Sequence, residues 1–318
     1  MPAAAGKWSC LSSCWSSNTL TLVMTLETTL SGWTGPSSAT EQDKQARTER
    51  MIREAVAEHP AFDDCAISVY AKGSYANNTN VKADSDVDIT VQCHEVFYYE
   101  CAEPSAGGTI TPYSGAWTPK KLRFDLVSAL RAKFPSQVDA SGSTAIGVNS
   151  STARVDADVV PCFDYRYYFA SGGYREGTRI YKSSGGYFEN FPVQHLANGR
   201  AKNNRTNTRF KKAVRIMKRL ENSMHDNGAH REVPSFFIEC LVYNCPDQII
   251  NRSTWTDTVI GIIVHTWEGL EGTEPSAEGD RWLEVNDCKF LFTQVQKWTR
   301  QDGRDFAHAA WNYLNLGT

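Results

Sequence analysis

The stretch GSYANNTNVKADSDVDI, from Gly73 to Ile89, joins two small residues to a polar turn and ends on alternating acidic and apolar residues. That alternation predicts a strand in which Val87 and Ile89 share one face. Asp86 and Asp88 then share the other face, about 6.5–7 Å apart along the strand. Because aspartate is disfavoured in strands, two of them on one face indicate a functional site.

A second acidic strand is predicted in ARVDADVVPCFDY, where Asp156 and Asp158 share one face. Carboxylates from two neighbouring strands repel one another unless cations lie between them, and two Mg²⁺ about 3.5–4 Å apart would fill such a cluster. Gly73 and Ser74 follow a predicted strand, where backbone N–H groups and a hydroxyl can hold phosphate. The pattern therefore predicts a metal-dependent attack on a triphosphate, whereas a lone DxD could equally be a solvent-facing strand with chance carboxylates.

Composition excludes several classes of protein. The chain has 318 residues and a net charge of −3, which argues against a general nucleic-acid binder. Its nine cysteines include no CxxC pair, so we expect reduced thiols rather than disulfides or a zinc site. No stretch approaches the roughly 20 apolar residues that a membrane helix needs, and the N-terminus lacks signal-peptide features. We therefore expect a cytoplasmic protein without membrane contact.

Three segments are predicted along the chain. Residues 1–23 lack clear periodicity and are expected to be a disordered extension or the product of a gene start placed too early. Residues 24–180 are expected to form a catalytic lobe, including a helix at about 39–58 that follows the N-cap candidate Ser38. Residues 181–318 have the pattern of helices joined by polar loops.

A basic stretch lies in the predicted helical lobe. From Arg200 to Arg219 the sequence carries nine basic residues and no acidic one. A solvated helix face is one interpretation of these charges. The other is a site for the triphosphate tail of a nucleotide, since the basic stretch would lie opposite an acidic metal site.

These motifs together resemble a known family. GS followed by DxD, with a further Asp on a later strand, is similar to the nucleotidyltransferase superfamily that includes DNA polymerase beta. The fuller strings GSYANNTNVKADSDVDI and RVDADVVPCFDY resemble the cGAS/DncV-like nucleotidyltransferases (CD-NTases) of bacterial CBASS anti-phage signalling, and the related animal oligoadenylate synthetases. The resemblance covers about residues 33–318, through NFPVQHLANGRAKNNRT, FKKAVRIMKRL and VPSFFIECLVYNCPD. It implies an α/β (α+β) fold, with a polymerase-beta-like N-lobe and mixed sheet packed on a helical C-terminal lobe.

The resemblance also implies a metal site. Asp86 and Asp88 would hold two Mg²⁺, for which Mn²⁺ can substitute. In DVVPCFD, Asp158 stands three residues before proline, as the catalytic Asp does in the synthetases, and would ligate the catalytic metal and help to deprotonate a hydroxyl. Asp156 stays an alternative, because an Asp five residues before proline has that role in the polymerase-type pattern.

Nucleotide-binding residues follow from the same resemblance. Gly73, Ser74, Lys218 and Ser235 would hold the donor triphosphate, with Lys218 on the long helix and Ser235 opening the next one. Ser235 could also be an ordinary N-cap after a proline. Two further polar residues, His195 and Asn203, could approach the base or ribose or have structural roles.

The resemblance implies a Mg-dependent enzyme that joins NTPs into a cyclic di- or trinucleotide second messenger and releases pyrophosphate. The messenger would act on a separate effector in anti-phage defence, and regulatory partner proteins could control the enzyme. Double-stranded DNA binding is not implied, because the sequence has no zinc-ligand cluster. Alternatives are a transferase that makes linear oligonucleotides or uses another acceptor, and a catalytically dead nucleotide-binding regulator.

Overall fold

In the computed structural model, the described residues are 17–81, 86–104 and 111–317, with side chains described from residue 25. Of the extension predicted at residues 1–23, residues 1–16 lie outside the described residues. Residues 17–23 belong to the first helix, so the predicted boundary after residue 23 falls inside a helix.

A mixed sheet forms the first half of the fold. Its strands are β1 (Ile67–Ala71), β2 (Val87–Cys101), β3 (Val138–Asp139), β4 (Ile146–Val148), β5 (Ala157–Tyr168), β6 (Tyr174–Tyr181) and β7 (Tyr187–Asn190). The order is β1-β2-β5-β4-β3, and β6 pairs with both β5 and β7. The β2–β5 pair is parallel and the other pairs are antiparallel. The parallel pair matters most, because it aligns the two acidic strands.

Helices cover the sheet and form the second half. They are α1 (Ser17–Gly32), α2 (Ala39–Ala57), α3 (Gly73–Ala76), α4 (Pro119–Lys133), α5 (Pro192–Arg205), α6 (Arg209–Asp226), α7 (Ser235–Tyr243), α8 (Asp247–Ile250), α9 (Trp255–Gly269) and α10 (Arg300–Tyr313). The structure thus has the predicted α/β class, with a mixed sheet followed by a helical part.

Among the described residues, two large hydrophobic cores and one small cluster of Val160, Cys162 and Ile180 are buried. One large core fills the space between the sheet and helices α2 and α4, and the other lies among α1, α6, α7, α9 and α10. Leu30 of α1 is fully buried in the second core, and Glu27 of α1 accepts hydrogen bonds from the first backbone N–H groups of α9. We therefore call α2 to β7 the sheet lobe and α1 with α5–α10 the helical lobe. Helix α1 therefore packs in the lobe that the C-terminal half of the chain forms. The sheet extends to Asn190, beyond the predicted boundary at residue 180.

Helix α2 begins as its sequence predicts. The Ser38 hydroxyl accepts a hydrogen bond from the backbone N–H of Glu41, which satisfies a donor that a helix N-terminus otherwise leaves free. The strand predicted in SDVDITVQC, residues 85–93, is β2, which begins later, at Val87 after Asp86, and continues to Cys101. Asp86 is consequently exposed, without a strand partner to align it.

The cysteines that the structure describes are free thiols. No helix within the described part of the chain is both long and apolar enough to cross a bilayer.

Candidate active site

Strand register brings two of the predicted carboxylates together. Asp88 of β2 lies directly opposite Asp158 of β5 in the parallel pair. Their strand neighbours Val87 and Ala157 are buried on the other face, against α2 and α4. Because side chains alternate between the two faces of a sheet, burying those neighbours turns both carboxylates to the face away from this core.

The pKa values of Asp86 and Asp88 indicate that negative charges lie close together at this site. The pKa of Asp86 is raised by desolvation and then by the charges of Asp158, Asp156 and Asp88. Burial and the charge of Asp158 raise the pKa of Asp88, although Lys72 opposes them. Neighbouring carboxylates thus disfavour ionisation of Asp86 and Asp88, which is the electrostatic condition that a bound cation relieves.

Asp156 differs from Asp158 in its surroundings. It precedes β5, and its carboxylate accepts a hydrogen bond of 2.5 Å from the backbone N–H of Ser150. It also borders a polar cavity of about 590 Å³ beside the start of α2, together with Arg154. No described residue donates a hydrogen bond to the carboxylate of Asp158. Of the two candidates, Asp158 therefore has the freer carboxylate and the strand position opposite Asp88.

The donor set fits a divalent cation by its chemistry, because hard cations such as Mg²⁺ prefer carboxylate oxygens. The geometry is less complete. In residues 17–81, 86–104 and 111–317 no three His, Cys, Asp or Glu side chains are close enough together to form a ready-made metal site. The carboxylates would have to move towards one another around a bound ion.

Gly73 lies directly against one of these carboxylates. The backbone N–H of Lys72 donates to the carbonyl of Asp88 at 2.9 Å, and Gly73 follows with a φ of +65°. A Cβ on Gly73 would lie 2.3 Å from Oδ2 of Asp88, closer than atoms can approach. Only glycine fits here without strain, since L side chains rarely adopt this φ.

Ser74 is the second predicted phosphate-binding residue. It is partly exposed, and its hydroxyl has no hydrogen-bond partner among the described residues. It follows Gly73 in the single turn of α3. The structure therefore places a free hydroxyl one residue from the contact with Asp88, as the sequence pattern predicts for a phosphate-binding turn.

Lys218 is buried beside a carboxylate. Its side chain is 2% exposed, and its ammonium is 3.1 Å from Oε2 of Glu239, which is also 2% exposed. His195 lies on the other oxygen of this carboxylate, with Nε2 3.0 Å from Oε1. A direct contact between Lys218 and a triphosphate requires the ammonium to exchange Glu239 for a phosphate oxygen.

Glu239 was not among the sequence candidates. The signal for it was an acidic residue inside SFFIECLVY, the otherwise apolar sequence of α7. A carboxylate is rarely fully buried unless it is paired, so its position in an apolar helix could have indicated a buried partner.

No hydrogen bond within the described part of the chain joins the remaining candidates to Asp86, Asp88 or Asp158. Ser235 is the exposed first residue of α7; the N-cap is Pro234, and no side chain caps this helix. Asn203 Oδ1 accepts a hydrogen bond from the backbone N–H of Lys211, which is a structural role. His195 has the contact with Glu239 described above.

Most of the basic stretch joins parts of the fold. Lys202 and Arg205 bind Asp247, and Arg209 donates to the carbonyl of Ile250 and the hydroxyl of Thr258. Two basic residues bind the segment before α2: Arg215 donates to the carbonyl of Thr34, and Arg219 donates to those of Trp33 and Gly35. Arg215 and Lys218 also reach the sheet lobe, at the carbonyl of Asn78 and the hydroxyl of Thr79. Most of these contacts therefore lie within the helical lobe or bind the segment before α2, and two of them cross to the sheet lobe.

Comparison with known proteins gives a consistent family. A family model described as the cGAS/DncV-like nucleotidyltransferase C-terminal helical domain matches residues 197–315. A protein named cyclic dipyrimidine nucleotide synthase CdnE, from Cecembia lonarensis, is 35% identical over 297 residues, which are 91% of this chain and 98% of that protein.

Solved structures extend the likeness to both lobes. The structure of Elizabethkingia meningoseptica CdnE cyclic dinucleotide synthase with GTP and Apcpp is 32% identical, covers 92% of this chain and 99% of that one, and has a TM-score of 0.76. The structure of Rhodothermus marinus CdnE c-UMP-AMP synthase with Apcpp and Upnpp is 28% identical, covers 92% and 97%, and has a TM-score of 0.79.

Proposed function

This chain belongs to the cGAS/DncV-like nucleotidyltransferases, and from that membership we propose that it joins NTPs into a cyclic di- or trinucleotide and releases pyrophosphate. It is a nucleotidyltransferase of the polymerase-beta-like fold. The observation that carries the proposal is the contact of Gly73 with Asp88, with Asp158 directly opposite. It joins a phosphate-binding turn to a pair of carboxylates, which is the arrangement that nucleotidyl transfer requires.

The family implies dependence on a divalent metal ion. We propose that Asp86, Asp88 and Asp158 hold two Mg²⁺, or Mn²⁺ in their place. The raised pKa values of Asp86 and Asp88 support this, because the repulsion behind them is what a cation removes. A bound ion would supply positive charge that acidifies a ribose hydroxyl and neutralises the charge developing on the phosphate.

The protein residues then have separate tasks. A ribose hydroxyl of one NTP attacks the α-phosphorus of another, its proton passes to Asp158, and the α–β phosphoanhydride bond breaks to release pyrophosphate. The backbone N–H groups at Gly73 and Ser74 and the Ser74 hydroxyl hold the triphosphate tail. Ser235 adds a hydroxyl at the start of α7. Lys218 adds positive charge from below, or binds phosphate directly if it leaves Glu239. A second round of transfer closes the ring.

We further propose that the product is a second messenger in anti-phage defence, with a separately encoded effector as its receptor and regulatory partner proteins as possible controls. We also propose that the reaction takes place in the cytoplasm, where NTPs are available. The names of the relatives include a dipyrimidine product and a UMP-AMP product. A test must therefore offer all four bases.

The experiment is incubation of the full chain with an equimolar mixture of ATP, GTP, CTP and UTP and Mg²⁺, followed by phosphatase treatment and mass spectrometry. A phosphatase-resistant product with the mass of a cyclic di- or trinucleotide is expected, because a ring has no terminal phosphate. An Asp86→Asn, Asp88→Asn double variant is the inactive control.

The other outcomes select the alternatives. A product that phosphatase shortens indicates linear oligonucleotide synthesis. Unreacted NTPs in every mixture, together with nucleotide binding that the double variant retains, indicate a catalytically dead regulator.

A further inference from the structure

Three of the four polar residues in the loop between the Gly73–Ser74 turn and the DxD strand are buried. We call Asn77–Asn80 the NNTN loop. Asn77, Thr79 and Asn80 are 2%, 0% and 5% exposed. Burying polar side chains is unfavourable unless each finds hydrogen bonds, so the partners of this loop indicate what it does.

The hydroxyl of Thr79 lies at the centre of a buried charged group. It donates to Oε2 of Glu239 at 2.9 Å and accepts from Nζ of Lys218 at 3.3 Å. Lys218 itself donates to the same carboxylate oxygen at 3.1 Å. Oε2 of Glu239 therefore accepts hydrogen bonds both from Lys218 of α6 and from Thr79 of the sheet lobe.

Electrostatics keep the carboxylate charged. Burial raises the pKa of Glu239, but Lys218, His195 and Thr79 outweigh it, so the pKa lies below its usual value. An ionised acceptor makes stronger and better-aligned hydrogen bonds than a neutral one. The Thr79 hydroxyl is thus bound by a charge that the helical lobe supplies.

Thr79 in turn holds the phosphate-binding turn. Its backbone N–H donates to the carbonyl of Ser74 at 2.8 Å. Two successive hydrogen bonds therefore connect the Glu239 carboxylate, through Thr79, to Ser74. Gly73, the neighbour of Ser74, is the residue that contacts Asp88.

The rest of the loop is held independently. Arg215 of α6 donates to the carbonyl of Asn78 at 2.6 Å. The Asn80 amide donates to the Ser37 hydroxyl at 3.0 Å. Helix α5 packs close to Asn77, since a Cβ on Gly199 would lie 3.2 Å from its Oδ1, but that oxygen has no hydrogen-bond partner among the described residues. With the loop held at these points, Thr79 is the residue whose side chain joins it to the buried charge pair.

We propose that Glu239, Thr79 and Lys218 form a buried unit between the two lobes that positions the Gly73–Ser74 turn for triphosphate binding. The inference rests on the proposed function. Glu239 and Thr79 are positioning residues, since they act on the nucleotide through Ser74. While its ammonium stays on Glu239, Lys218 acts through Thr79 and Glu239. The helical lobe thereby controls the geometry of a phosphate site that lies in the sheet lobe.

The test uses Mg²⁺–tripolyphosphate as the ligand, because it carries the triphosphate without a base. Its dissociation constant is measured by calorimetry on the full chain and on Thr79→Val, which keeps the shape and removes the hydroxyl. We expect a rise of about tenfold for Thr79→Val, the size of one lost charge-assisted hydrogen bond. Thr79→Ser should restore binding to within about twofold of wild type, because the hydroxyl returns.

A matched control is Thr258→Val. Thr258 is also fully buried and makes comparable hydrogen bonds, to Thr254 and Arg209, but lies in the helical lobe away from the NNTN loop. It should lower the melting temperature and leave tripolyphosphate binding unchanged. Unchanged binding in Thr79→Val, or equal weakening in Thr258→Val, overturns the proposal.

Two further measurements separate the possible failures. If Thr79→Val does not melt cooperatively, tripolyphosphate binding is measured on Glu239→Gln instead. Binding weakened by about threefold or more supports the positioning unit, and unchanged or tighter binding overturns it. With NTP substrates, the loss in Thr79→Val should appear mainly in KM. A wild-type protein that binds tripolyphosphate but forms no product contradicts the proposed function and leaves the positioning test intact.

Discussion

The α-carbon of Gly73 lies so close to the carboxylate of Asp88 that a methyl group on Gly73 would be 2.3 Å from Oδ2. The two residues lie 15 positions apart in the sequence and belong to different elements, α3 and β2. Their contact brings the backbone of the candidate phosphate-binding turn to a metal-binding candidate, and only a residue without a side chain allows it.

Gly73→Ala should therefore abolish most of the activity, with a loss of about 100-fold or more in kcat/KM. The reason is displacement of either the turn or the Asp88 carboxylate. The matched control is Gly228→Ala, because Gly228 has a φ of +67° and open space around its Cβ position. Both variants carry the same backbone strain, about 1 kcal/mol. Equal activity in the two variants would contradict the role of the contact.

The choice between Asp156 and Asp158 can be made with two single variants. Asp158→Asn should reduce kcat by about 1000-fold, because it removes a carboxylate opposite Asp88. Asp156→Asn should retain activity to within about tenfold, because that carboxylate already accepts a hydrogen bond from Ser150. Initial rates with saturating NTPs and Mg²⁺ measure both. The reverse order of losses would move the third catalytic carboxylate to Asp156.

Removing a carboxylate should stabilise the metal-free protein. Burial and the charge of Asp158 disfavour the ionised form of Asp88 and raise its pKa, although Lys72 opposes them. Asp88→Asn should raise Tm without metal by about 2 °C, which corresponds to roughly 1 kcal/mol. Mg²⁺ should raise Tm of wild type and have less effect on the variant. Thermal melts with EDTA and with Mg²⁺ test this, and an equal Mg²⁺ shift in both proteins would count against a metal ligand at Asp88.

The ion pair of Glu239 and Lys218 should make the free energy of unfolding depend on pH in a defined direction. Because the pKa of Glu239 is lowered from 4.5 in the folded protein, its contribution is complete above that value and declines as pH falls below it. At pH 7, Glu239→Gln should lower Tm by roughly 5 to 10 °C, since it leaves Lys218 buried without its charge partner. The Tm difference from wild type should shrink below pH 4.5.

The control for this pH series is Glu278→Gln, a change at an exposed position outside the long helices. It should melt like wild type at every pH. A Glu239→Gln difference that stays constant from pH 7 to pH 3.5 would show that the carboxylate contributes by packing rather than by charge.

Local patterns predicted those features that depend on neighbouring residues. The alternation in SDVDITVQC placed Val87 and Ile89 in the core, and both are fully buried. The spacing of Ser38 and Glu41 predicted the start of α2. Periodicity is sufficient in these cases, because one face of each element must be buried.

Other features could not be read from such patterns. The resemblance implied that Lys218 contacts a triphosphate, but it did not indicate that Lys218 lies buried beside Glu239, 21 residues away. Helix α1 precedes the sheet lobe in sequence and packs in the helical lobe. Both depend on how distant segments pack, and a sequence period of 3.6 states only which residues share a face.

The sequence by itself determined the chemistry of the site: acidic residues at alternating positions, a glycine and serine before them, and a family resemblance that extends through both lobes. It did so because strand alternation orients side chains without reference to the rest of the fold. Only the tertiary structure decided which groups meet. The parallel register of β2 and β5 set Asp158 opposite Asp88, and helix packing buried Lys218, Glu239 and Thr79 together, because a buried charge needs a partner that only the folded chain can bring.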